Sequence, residues 1–124
     1  MTRSVAIVFE GMPPLQTVEG AARRRARILD MSHPAVVAWE VNLAAAQRPV
    51  AGGLDYAATV QARVAGGETL VGEGRAMDLL DALRLAFIDV ETQLDAHQER
   101  VRKRAGQWLA TVRQRLSQRQ DSFV

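Results

Sequence analysis

Four arginines crowd the six residues from Ala22 to Arg27, and a second basic run, Arg100, Arg102, Lys103 and Arg104, comes late in the chain. Guanidinium groups present planar forks that match phosphate oxygens two at a time, and they also pair readily with carboxylates. Other chemistry is thin. There is no cysteine, which excludes disulfides, thiolate metal sites and a cysteine nucleophile. The two histidines, His33 and His97, have no second ligand at metal-binding spacing. The glycine-rich stretch from Val64 to Gly74 links two strand-like runs, whereas a phosphate loop needs a helix N-terminus. Asp78, Asp81, Asp89, Glu91 and Asp95 mostly share one helical stretch and read as a solvated face rather than an acid–base pair. The pattern points away from an enzyme and implies no cofactor and no metal.

The net charge of +2 hides strong segregation. Residues 1–75 carry eight Arg against seven acids, residues 76–98 one Arg (Arg84) against five acids, and residues 99–124 seven basic residues against two acids. Lys103 is the only lysine. Local clusters therefore matter more than the total. The chain length of 124 residues suits one domain. No apolar run reaches the roughly 20 residues of a membrane span. The opening run Ser4–Phe9 is too short for a signal peptide and is followed at once by Glu10, so a cytoplasmic protein is expected.

The elements that must position these charges follow from periodicity. Ser4 to Gly11 is β-branched and aromatic and predicts a first strand. Pro13 and Pro14 suit a helix entry, and Leu15 to about Met31 predicts a helix. At 100° per residue, Leu15, Val18, Ala22, Ala26 and Leu29 share its inner face. Arg23, Arg24 and Arg27 then point outward, and Arg25 flanks the apolar stripe. Ser32-His33-Pro34 ends the helix. Ala35–Ala45 alternates, with Val37, Trp39, Val41 and Leu43 on one face, and Leu54–Ala65 alternates again. The glycine pair Gly66-Gly67 predicts a hairpin turn with positive φ at both positions. Asp78 reads as an N-cap for a helix of perhaps 25 residues that could run on to Gln118, with Gly106 as its weak point.

The expected fold is α+β, a two-layer β-α-β-β-β-α sandwich: a four-stranded sheet with two helices on one face and an extended C-terminal helix. The expected organisation is a domain over 1–104 and a helical extension over 105–124. In that extension Trp108, Leu109, Val112 and Leu116 form an apolar stripe edged by arginines. Two readings of the stripe stay open: a helix end covered by its own domain, or a docking or dimer seam for another protein.

Three stretches resemble one family. "VAIVFEGMPP", "LDYAATVQARVAGGETLV" and "MDLLDALRLAFIDVETQLDAH" are similar, in that order, to the opening strand, central hairpin and last helix of the ribosome hibernation-promoting factors and ribosome-associated inhibitors, also called sigma-54 modulation proteins. The resemblance covers about residues 5–104. It implies a non-enzymatic, stress-response factor that binds small-subunit ribosomal RNA and represses translation. The implied RNA contacts are Arg23, Arg24, Arg27, Arg84, Arg100, Arg102, Lys103 and Arg104. The sequence departs from the family where Glu91 and Thr92 replace basic residues and where the loop Gln47–Gly53 holds only Arg48. Asp89, Glu91 and Asp95 are expected to repel phosphates there. The family's C-terminal domain has no counterpart in the sequence, so dimerisation of whole ribosomes through it is not expected. The competing function is a protein–protein module of the same fold that docks or dimerises through the Trp108 helix.

Overall fold

Alternation builds the sheet and the 3.6-residue period builds its cover. In a computed structural model, which describes residues 4–47 and 54–121, the order is β1 (Ser4–Glu10), α1 (Gln16–Ser32), β2 (Val36–Gln47), β3 (Leu54–Val64), β4 (Thr69–Ala76) and α2 (Leu79–Asp121). The expected loop around Arg48 lies outside the described residues. The sheet order is β1-β2-β3-β4, with β1 and β2 parallel and the other neighbours antiparallel. A parallel pair needs a crossover, and α1 supplies it.

Contacts divide the chain into two units, 1–94 and 95–124. In the first, one continuous core lies between sheet and helices. Val18, Ala22, Ala26 and Leu29 of α1 and Ala82, Leu83, Ala86, Phe87, Val90 and Leu94 of α2 meet Trp39, Val41, Leu43, Val60, Ala62 and Val64 of the sheet. Trp39 joins both helices. Its Nε1–H donates to Asp30 Oδ1 at 2.8 Å, and its ring lies 6.1 Å from that of Phe87, tilted by 45°. The tilted arrangement suits the quadrupoles of two aromatic rings.

Two details differ from the alternation and helix readings. Val37 is 49% exposed and Val36 is buried, because a β-bulge between Val36 and Ala38 shifts the register against β3. A one-residue slip turns a side chain to the opposite face. Leu15 is the exposed N-cap of α1 rather than part of its buried stripe.

Gly66 and Gly67 have φ of +102° and +97°, as the hairpin reading requires. The other glycine pair has a packing role. A Cβ on Gly72 would lie 2.2 Å from the Ala86 carbonyl oxygen, and one on Gly74 would lie 2.2 Å from that of Ala82. The glycines of β4 let α2 seat its backbone directly on the strand, which explains the "VGEG" stretch without a nucleotide. Asp78 starts α2: its carboxylate accepts from the Leu80 N–H at 2.8 Å, the geometry of an N-cap. The helix then continues for 43 residues without a break at Gly106.

Candidate nucleic-acid interface

The arginines of α1 are sorted by their helical angle. Arg23 turns toward β1, where its guanidinium donates to the Val5 carbonyl at 3.3 Å and to Glu19 Oε1 at 3.1 Å. It therefore covers an edge-strand carbonyl while staying exposed. Arg25 turns toward α2 and meets Glu91 at 2.7 Å. Arg24 and Arg27 face solvent, and among the described residues they make no hydrogen bond or ion pair. Arg84, on the outward side of α2, pairs with Asp81 at 3.2 Å.

The acids expected to repel phosphates have structural partners. Glu91 is the partner of Arg25. Asp89 accepts from the Glu73 N–H at 3.0 Å, and the neighbouring Gln93 donates to the Val71 carbonyl at 2.6 Å. Both groups belong to edge strand β4, whose outward backbone would otherwise be free to pair with another chain. The functional reading of the sequence missed this use of the α2 acids. The signal was present: Asp89 and Gln93 are four apart, on one side of the helix.

Between α1 and α2 runs an open groove of about 510 Å3, lined by Ala21, Arg25, Leu80, Leu83, Arg84, Phe87 and Ile88. Its floor is apolar and its charged rim is guanidinium. It contains no carboxylate, histidine or hydroxyl among its lining residues, so it offers no acid–base or nucleophilic chemistry.

The remaining candidates belong to the second unit. Arg102 pairs with Glu99 at 3.4 Å, and Lys103 and Arg104 are exposed without an ion pair among the described residues. Arg100 is exposed and has a polar partner. Trp108 is 65% exposed, with Leu109 and Leu116 beside it also exposed. No group of three metal-binding side chains occurs among the described residues, and none of their helices is long and apolar enough to cross a membrane.

This arrangement defines a class by its fold: a mixed four-stranded sheet in β-α-β-β-β-α order, with two helices over one face. Solved structures with this fold include a ribosomal subunit interface protein from Coxiella burnetii, with a TM-score of 0.67 and 10% identity, covering 77% of this chain and 98% of that one. The N-terminal domain of Thermus thermophilus Protein Y matches with a TM-score of 0.61 and 19% identity, covering 77% of this chain and 99% of that domain. No protein-family model and no curated protein sequence matches the chain. The likeness is one of fold, and it agrees with the family suggested by the three sequence stretches.

Proposed function

We propose that this protein is a non-enzymatic, ribosome-associated factor of the cytoplasm that binds small-subunit ribosomal RNA and represses translation under stress. The observation that carries the reading is the pair Arg24 and Arg27: two solvent-facing guanidiniums without a partner among the described residues, on a fold shared with a ribosomal subunit interface protein. Lys103 and Arg104 add two more cations that have no ion pair among the described residues. Arg23, Arg84, Arg100 and Arg102 complete the set. Those held in exposed ion pairs exchange a carboxylate for a phosphate at small cost, because such pairs are worth about 1 kcal/mol or less.

Co-sedimentation with ribosomes tests the reading. The double substitution R24E/R27E leaves the buried face of α1 untouched and is expected to abolish binding at moderate salt. Unchanged co-sedimentation of a folded R24E/R27E protein would refute it.

The exposed Trp108 favours a second role, protein interaction through Trp108, Leu109, Val112 and Leu116. W108A distinguishes the two, since it is expected to leave ribosome binding intact and remove a protein partner.

A further inference from the structure

The stretch of α2 within the second unit continues an apolar spacing at His97, Val101, Ala105, Trp108, Val112 and Leu116. The intervals are four, four, three, four and four residues, so they read the same from either end, with the midpoint between Gly106 and Gln107. At 100° per residue these positions fall within an arc of roughly 100°. Three successive steps span 11 residues, a repeat close to the natural helical period, so the stripe follows a nearly straight helix. Val101 and Leu116 are about half exposed, and Trp108 is more so.

We propose that this face pairs with the same face of a second copy, with the two helices antiparallel. Aligning the midpoints sets His97 opposite Leu116, Val101 opposite Val112, and Ala105 opposite Trp108, each pair occurring twice about a two-fold axis. An interface of this kind is isologous and closes after two chains. Size matches at the centre, where each indole lies over an alanine.

Charge selects the direction. Over 95–117 there are six basic residues and two acids, and the acids, Asp95 and Glu99, sit at one end. An antiparallel pair brings that end to Arg113 and Arg115 of the second copy. A parallel pair would stack Arg100 to Arg104 on themselves. Glu99 is shared with Arg102 in its own helix through an exposed contact of 3.4 Å, which is weak enough to rearrange. Each helix still keeps an excess of positive charge, so added salt strengthens the dimer by screening.

The proposal rests on the second reading above, that the Trp108 face is an interaction surface, and is independent of ribosome binding. The chain has no native cysteine, so introduced ones report cleanly. Mixed V101C and V112C proteins are expected to form a disulfide dimer under mild oxidation, while V101C alone stays largely unlinked. Sedimentation equilibrium of the full chain is expected to show a monomer–dimer equilibrium that tightens with salt. W108A shifts it to monomer, and the exchanged pair A105W/W108A restores it, because each new indole again faces an alanine. Preferential V101C self-linking, a chain that stays monomeric at high micromolar concentration and high salt, or no rescue by a folded A105W/W108A would overturn the proposal. Ribosome binding weakens with salt where the dimer strengthens, so the two readings fail separately.

Discussion

Arg25 and Glu91 meet at 2.7 Å across the space between α1 and α2, an ion pair that joins the two helices of the first unit. Both side chains keep more than a third of their surface exposed, so the Coulomb gain is screened. A double-mutant cycle on R25A and E91A is expected to give a coupling of less than about 1 kcal/mol by urea denaturation. The larger effect is electrostatic. E91Q removes a carboxylate and releases Arg25, so ribosome co-sedimentation is expected to survive to higher salt, with the salt slope steeper by about 0.7–0.9 if the freed guanidinium takes a phosphate. An unchanged salt profile would place Arg25 outside the interface.

The glycines of β4 give a sharper stability test. Gly72 and Gly74 leave no room for a Cβ beneath the α2 backbone. The obstructing atoms are carbonyl oxygens and backbone nitrogens of Ala82, Ala86 and Val90, which cannot rotate aside. G72A and G74A are each expected to destabilise the domain by about 2–4 kcal/mol, as overpacking that forces the backbone to shift does. By contrast, G66A has open space around it and is strained only through its positive φ, so a loss nearer 1 kcal/mol is expected.

Much of this architecture was legible in the residues. Val60, Ala62 and Val64 alternate cleanly, and Val18, Ala22, Ala26 and Leu29 keep the helical period, so strands and α1 follow from burial alone. Val37 escaped because a bulge depends on pairing with β3, which no local pattern records. The candidate interface was legible in outline only. Helical angle sends Arg23, Arg24 and Arg27 outward, yet only the tertiary structure shows Arg23 reaching the Val5 carbonyl while Arg24 and Arg27 find no partner among the described residues. The same holds for Asp89: its charge is visible in sequence, and its hydrogen bond to the edge of β4 depends on how α2 is seated.

Trp39 ties the helices to the sheet, and its partner offers an independent check of the core. The indole is 2% exposed, and its N–H is satisfied by Asp30. D30A would leave that donor without its carboxylate, at an expected cost of about 1–3 kcal/mol. D30N keeps an acceptor and is expected to lose less. The two tryptophans divide the fluorescence signal: buried Trp39 reports the domain and exposed Trp108 the helix. A W108F background therefore isolates Trp39, and equal stabilities for D30A and D30N there would show that the hydrogen bond contributes little.

Salt dependence tests the proposed interface most directly. Four cations, Arg24, Arg27, Lys103 and Arg104, have no intramolecular ion pair among the described residues. If each meets one phosphate, these four alone give the logarithm of the ribosome affinity a slope of about −3 against the logarithm of salt, since each neutralised phosphate contributes 0.7–0.9, and every ion-paired arginine that exchanges its carboxylate for a phosphate steepens it further. Removing Arg24 and Arg27 together should reduce that slope by about 1.5 as well as weakening binding. The combined change separates phosphate contact from a fold defect: misfolded protein loses bound fraction at every salt concentration, whereas the double variant converges on the parent as salt rises. A slope near zero for the parent chain would mean that ribosome association, if it occurs, is not carried by these cations.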